Sequence, residues 1–208
     1  MEVFLATGNP KKRAEFERLV APLGVTLRTD LAVPDTVEDA PTFAGNAEKK
    51  AREAALRHGI WALADDSGLS VDALDGGPGV HSARFAGTHG DDAANNTKLL
   101  AELERVGATD DDRRGAHFTC ALCLCRPDGT VALAVEGRAH GRILRAARGD
   151  HDFGYDPLFL FTEPGFDATG RGFAELEPDE KGAVSHRGRA LAALLERLPG
   201  LLAEGGGA

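Results

Sequence analysis

The chain is 208 residues long, 42% hydrophobic and 27% charged, which fits one large domain or two small lobes sharing a core. Its net charge of −9 at pH 7 argues against the basic surface that duplex DNA or an anionic membrane would need, so neither nucleic acid nor membrane is an expected partner. An anionic small molecule stays open, because a local group of Lys and Arg can sit inside an acidic protein. No apolar run approaches the roughly 18 residues of a membrane span, and the text begins directly with a strand-like run, so the expected location is cytoplasmic.

Val3 to Ala6 reads as a buried strand, broken by Thr7-Gly8-Asn9-Pro10. A helix should follow, with Asn9 as N-cap and Pro10 at its first position. Phe16, Leu19, Val20 and Leu23 are spaced for one apolar face, and Gly24 closes the helix. Val25 to Leu27 starts a second strand, Leu31 to Pro41 is a loop, and Thr42 caps a helix to about His58. Trp61 to Ala64 is the next strand, and Gly68 to Gly90 is mostly turns punctuated by Gly and Pro. Asp91 to Val106 reads as a helix with Leu99, Leu100, Leu103 and Val106 inward. Strands at Ala116–Cys125 and Thr130–Ala139 are joined by the turn Arg126-Pro127-Asp128-Gly129. Pro157 to Phe161 is a further strand candidate. Ser185 caps a last helix whose face is Ala190, Leu191, Leu194, Leu195 and Leu198, and residues 204–208 form a loose tail. The order implies an α/β fold with a mixed sheet, kept as a single domain over 1–208 because no clean linker or repeat appears.

Cys120, Cys123 and Cys125 fall in one strand, so Cys123 and Cys125 share a face and Cys120 points the other way. That suits core packing in a reducing compartment better than tetrahedral metal binding. Only six of the 24 basic residues are lysine, namely Lys11, Lys12, Lys49, Lys50, Lys98 and Lys181. A chain that otherwise uses Arg for surface charge draws attention to those positions.

Two features point to chemistry. After the apolar run at Trp61–Ala64 come Asp65 and Asp66, followed by Ser67 and Gly68. Carboxylates at a strand end are either metal ligands or a solvated turn. If the strand alternation persists, the two acids point to opposite faces. The turn Thr7-Gly8-Asn9-Pro10-Lys11-Lys12 joins a strand to a helix start, where unpaired N–H groups and the positive dipole end favour an anion. The same turn also reads as an ordinary capped helix with exposed lysines.

Four segments in order carry a resemblance: LATGNPKKRAEF at the N-terminus, ADDSGLSVDAL with GGPGVHSARFAG, HDFGYDPLF at 151–159, and EKGAVSHRGRAL at 180–191. Together they resemble the inosine/xanthosine triphosphate pyrophosphatase family over residues 3 to about 198. The resemblance implies an elongated mixed β-sheet flanked by helices, in two lobes with the active-site cleft between them. It implies hydrolysis of the α–β phosphoanhydride of ITP, dITP and XTP to a monophosphate and pyrophosphate, with Mg²⁺ as cofactor and a homodimer as the assembly.

Carried over position by position, it assigns Thr7, Gly8, Asn9, Pro10, Lys11 and Lys12 to the triphosphate. Asp66 becomes a magnesium ligand and proton acceptor, with Lys12 and Lys50 beside it as catalytic cations. Glu38 becomes the second metal ligand, with Asp39 as its competitor. Ser67 becomes a substrate contact, and Asp65 a support through hydrogen bonds or a water. Phe153, Gly154, Tyr155 and Asp156 form the base-binding segment, joined by Lys181, His186 and Arg187. Phe153 could stack on a purine or be a core aromatic, and His186 and Arg187 could be a helix-cap surface residue and a helix ion pair. Donors such as His186, Arg187 or backbone N–H groups would donate to the 6-oxo group of hypoxanthine or xanthine and leave adenine unpaired.

Two departures matter. Gly45 stands where a glutamate is usual, and His81 where a tyrosine is common. Gly45 is the one feature that speaks for a nucleotide-binding sensor without hydrolysis. Intact Asp66, Lys12 and Lys50 speak against it.

Overall fold

The central strands bury side chains on both faces, so their sequences read as near-continuous apolar runs rather than alternating ones. A computed structural model describes residues 2–20, 25–151 and 153–205; the side chains of Lys11, Glu15, Leu19, Val20 and residues 202–205 fall outside the description. The elements are β1 (Glu2–Leu5), α1 (Pro10–Val20), β2 (Thr26–Arg28), α2 (Phe43–His58), β3 (Ala62–Val71), α3 (Asp92–Arg105), β4 (Gly115–Cys125), β5 (Val131–Ile143), β6 (Phe159–Phe161), α4 (Pro178–Val184) and α5 (His186–Gly205). The strands form a six-stranded sheet in the order β2-β1-β3-β4-β5-β6. β1 is parallel to both β2 and β3, and β5 is antiparallel to β6, so the sheet is mixed.

The chain divides into two compact units. The first comprises Met1–Asp66, Cys120–Gly137 and Arg187–Ala208. It holds two apolar clusters. One gathers Val3, Leu5, Phe16, Leu63, Cys120, Leu122 and Leu124 with Leu191, Leu194 and Leu198 of α5. The other gathers Phe4, Ala62, Ala64, Ala121, Cys123 and Cys125 with Ala47, Ala51, Ala54 and Ala55 of α2. Alternate residues of one strand thus serve different clusters, as a period of two requires. The three thiols follow the expected split and are buried. The second unit, Ser67–Thr119 and Arg138–His186, has its own core around Leu69, Leu99, Leu103, Phe118, Phe159, Phe161 and Phe173.

Helix starts follow the capping chemistry of the sequence. Asn9 Oδ1 accepts the Lys12 N–H (3.2 Å) at the start of α1. Thr42 Oγ1 accepts the Gly45 N–H (3.1 Å) at the start of α2, and Asp91 Oδ1 accepts the Ala94 N–H (3.0 Å) at the start of α3. Leu23 and Gly24, expected to complete and close α1, lie outside the described residues. Among the described residues no helix is long and apolar enough to cross a membrane.

Four expectations are corrected. The strand expected to end at Ala64 runs on to Val71. Acids are depleted in strands, but Asp65 and Asp66 both find partners, and buried Leu69 and Val71 resume the apolar pattern beyond them. Part of the region expected to be mostly turns is therefore strand. Asp156–Leu158 is a 3₁₀ turn, leaving only Phe159–Phe161 as strand. Pro157 has no N–H for a ladder and suits a first turn. The segment before Ser185 forms a helix, α4, that the sequence reading missed. Pro178 sits in its first turn, and Glu180 Oε2 accepts the Glu177 N–H (2.8 Å). Lastly, α5 runs to Gly205, two residues into the expected loose tail.

Candidate active site

β3 carries the two acids to opposite faces, and each face has its own helices. Asp65 lies on the same side as Leu63, which packs with Phe16 of α1 and Leu191 of α5. That side delivers Lys12 and Arg187. Lys12 Nζ lies 2.8 Å from Asp65 Oδ2, and Arg187 Nη2 lies 3.9 Å from the same oxygen. Asp65 and Arg187 are both almost fully buried. Burial pushes the Asp65 carboxyl up, but the charges of Lys12, Arg187 and Lys50 outweigh it and hold the group well below the usual carboxylate range.

Asp66 lies on the side of Ala62 and Ala64, which pack on α2. That helix supplies Asn46 and Lys50. Asn46 Nδ2 donates to Asp66 Oδ2 (3.1 Å), and Lys50 Nζ lies 3.5 Å from Asp66 Oδ1. Lys50 Nζ also donates to Glu38 Oε1 (2.9 Å). Burial raises the Asp66 carboxyl above its ordinary value; Lys50 and Asn46 offset this only in part, and Glu38 adds to the rise. Burial lowers the Lys50 ammonium, and the charges of Asp66, Asp65 and Glu38 reverse this to a net rise. Adjacent carboxylates thus hold opposite electrostatic states: Asp65 is an ion-pair hub, whereas Asp66 is a buried acid with raised proton affinity.

Glu38 and Asp66 converge on one cation, the Lys50 ammonium. Asp39 turns instead to Lys49. Among the described residues no group of three or more His, Cys, Asp and Glu side chains gathers as a metal cage. Two converging carboxylates nonetheless fit Mg²⁺, a hard cation commonly held by one or two carboxylates with phosphate oxygens and waters completing the shell. Asn46 was not expected from the sequence. Its Oδ1 accepts the Ala40 N–H (3.0 Å) while its amide holds Asp66, so it ties the Glu38 loop to β3. Asn inside the first turns of a helix was the available signal, since its short amide competes with the backbone unless it is used elsewhere. Gly45 fits closely: a Cβ there would lie 2.8 Å from Ala40 Cβ and 3.2 Å from Thr42 Oγ1.

The β1–α1 turn is close to the Asp65 hub through Lys12. Thr7 is buried and its Oγ1 accepts the Asn9 N–H (3.3 Å). Gly8, Asn9 and Pro10 are exposed, and a Cβ at Gly8 would meet no protein atom within 4 Å. The Lys11 side chain lies outside the described set.

Within the second unit, Phe153 is half-buried with Lys181 Nζ 5.2 Å from its ring centre. Lys181 also pairs with buried Asp156. Tyr155 Oη donates to Ser82 O (2.9 Å). Tyr155 and Asp156 therefore support the segment from within, and Phe153 and Gly154 are its more exposed residues. Ser67 is half-buried at the point where the second unit begins. His186 is buried rather than a surface cap, its ring stacked on Phe118 (4.7 Å between centres, 13° between planes). Arg187 faces Asp65 on β3.

The family model described as Ham1 family matches residues 3–197. The chain belongs to the Ham1 family. Among its relatives, a dITP/XTP pyrophosphatase of Rhodopirellula baltica is 50% identical over 201 residues, covering 95% of this chain and 92% of the relative. A Ham1 protein structure from Coxiella burnetii superposes with a TM-score of 0.84 at 40% identity, covering 96% of this chain and 98% of that one. The structure of a nucleoside-triphosphatase, also named dITP/XTP pyrophosphatase, from Mycobacterium abscessus gives a TM-score of 0.73 at 49% identity and covers 94% and 99% of the two chains. In this Ham1 chain the paired acids, the lysines and the phenylalanine segment all lie inside the matched span.

Proposed function

We propose that this chain hydrolyses the non-standard purine triphosphates ITP, dITP and XTP at the α–β anhydride, releasing a nucleoside monophosphate and pyrophosphate and so clearing them from the cytoplasmic nucleotide pool. The observation that carries the reading is the setting of Asp66: a buried carboxylate held by Asn46 and Lys50, with Glu38 converging on the same lysine. Such a group can take a proton from an attacking water. The water oxygen bonds to phosphorus, the bridging P–O bond breaks, the proton passes to Asp66, and pyrophosphate leaves with the bond electrons. Lys12 and Lys50 neutralise charge on the phosphates, and the N-terminal end of α1 adds its dipole. Glu38 and Asp66 would hold Mg²⁺, which supplies phosphate neutralisation and a more acidic water. Phe153 stacks on the purine, and donors at His186 or Arg187 read the 6-oxo group.

A homodimer is part of the same proposal, read by sedimentation. A sensor without hydrolysis has no observation in its favour beyond Gly45. The deciding experiment incubates the protein with ITP, dITP, XTP, GTP and ATP at varied Mg²⁺ and identifies the phosphate product. Pyrophosphate from the first three, with little from ATP and none without Mg²⁺, supports the reading. Orthophosphate would refute the assigned bond, and binding without turnover would establish the sensor.

A further inference from the structure

The Gly154 peptide is gripped at both ends by one helix face. Asp92 Oδ2 accepts its N–H (2.9 Å), and Asn96 Nδ2 donates to its carbonyl (2.8 Å). Asp92 and Asn96 are four residues apart on α3 and so project side by side. Gly154 has φ +55°, in the left-handed region, while a Cβ there would meet no protein atom within 4 Å. Backbone conformation, not lack of room, is what this position requires of a glycine. The glycine takes up this conformation without strain but is free to leave it, so the grip is what holds it there.

The same helix face ties a second loop. Asn95 Oδ1 accepts the Ala86 N–H (2.7 Å), and its amide donates to Ala83 O (3.4 Å). Two adjacent asparagines in a helix interior run against helix propensity, and here both are used on backbone of neighbouring loops. The residue gripped at 154 follows directly on Phe153, and Phe153 O accepts the Asp156 N–H (3.0 Å) to close the turn.

We infer that Asp92 and Asn96 are positioning residues that fix the Gly154 peptide and, through it, set the Phe153 ring for the purine. This rests on the base-binding role proposed for Phe153. Their loss acts on recognition of the base and not on the phosphates, because Asp66, Lys12 and Lys50 lie in the other unit. An asparagine at 92 keeps an acceptor for the Gly154 N–H, whereas a carboxylate at 96 sets two acceptors against each other.

The test compares Asp92→Ala, Asn96→Ala, Asp92→Asn and Asn96→Asp. It measures ITP turnover and, by calorimetry, binding of inosine monophosphate and of pyrophosphate. Asp92→Ala and Asn96→Ala should raise KM for ITP and Kd for inosine monophosphate about tenfold, since tenfold corresponds to about one hydrogen bond lost. Their kcat should stay within about threefold and pyrophosphate binding within about twofold. Asp92→Asn should recover most of the affinity, and Asn96→Asp should not. If Asp92→Ala fails to fold, the paired substitutions at Asn96 and Asp92→Asn decide. Unchanged KM and monophosphate affinity, equal weakening of pyrophosphate, or a fall in kcat at constant KM would overturn the inference. Failure of the unaltered protein to release pyrophosphate from ITP would instead overturn the proposed function, while monophosphate binding still reads the grip.

Discussion

Asp65→Asn isolates the charge of the ion-pair hub with little change of volume, so it opens no cavity. Asp65 and Arg187 each expose about 2% of the side chain, whereas Lys12 exposes 19%. Removing one partner of a fully buried pair costs about 3–5 kcal/mol. Asparagine keeps an oxygen acceptor and Lys12 can turn toward water, which lowers the expected loss to about 2–3 kcal/mol. For a chain of this size, each kcal/mol shifts Tm by about 2–4 °C, so the midpoint should fall by about 4–12 °C. Urea melts of both proteins at pH 7 in chelator, with no nucleotide, measure the loss without involving metal or substrate. The pH dependence has a fixed sign. The folded Asp65 carboxyl sits below its unfolded value, so its contribution is complete above about pH 3.9 and fades as pH falls through the folded value. The gap between the two proteins should be level from mild acid upward and narrow only in strong acid. A gap under about 0.5 kcal/mol at pH 7 would fall within the range of a neutral surface change and refute the hub. A gap that widened on acidification would do the same.

Asp66→Asn should keep the fold and lower kcat by about 10²–10⁴, the usual contribution of a positioned base. Because burial raises the Asp66 carboxyl, in chelator and without nucleotide it should titrate above the ordinary aspartate value, followed by NMR against Asp66→Asn; titration at that value would contradict the raised affinity. Gly8→Ala should leave urea stability unchanged, since no protein atom crowds a Cβ there, but raise KM for ITP; an unchanged KM would move the triphosphate away from this turn. In Gly45→Ala the new Cβ presses on Ala40, which Asn46 ties to Asp66. The Mg²⁺ concentration for half-maximal turnover should therefore rise while stability shifts by less than about 1 kcal/mol, because helix propensity improves by a similar amount. An unchanged Mg²⁺ requirement would detach Glu38 from the metal. The three thiols, buried in the core, should resist a thiol reagent in the folded protein and all react in urea.

Local rules in the sequence reached a good part of the fold. Asn9 and Thr42 cap helices where their side chains placed them, because an N-cap is decided within four residues, and Asp91, read as the first helical residue, caps the helix that starts at Asp92. The alternation of Cys120 against Cys123 and Cys125 was equally legible, since a strand's two faces depend only on parity. What escaped depends on partners distant in sequence. Asp65 and Asp66 looked like a strand end because acids are poor strand formers, and Lys12, Arg187, Asn46 and Lys50, brought from three helices, partner them inside β3. The helix at Pro178–Val184 escaped for a related reason: its seven residues contain a glycine and rest on a local capping box at Glu177 and Glu180 rather than on a long apolar face.

The same parity explains how one dipeptide provides two different acids. A strand places neighbours on opposite faces, and in this chain those faces are covered by different helices. α1 and α5 bring cations to one side and drive the Asp65 carboxyl down; α2 brings an amide and a shared lysine to the other and leaves the Asp66 carboxyl raised. Moving the pair by one residue along β3 would exchange the two environments, giving the proton acceptor the ion-pair hub and the hub the shared lysine. The two positions are therefore not chemically equivalent even though the residues are identical. Function at this site follows from register: the strand decides which carboxylate meets which helix, and the helices decide which one can take a proton.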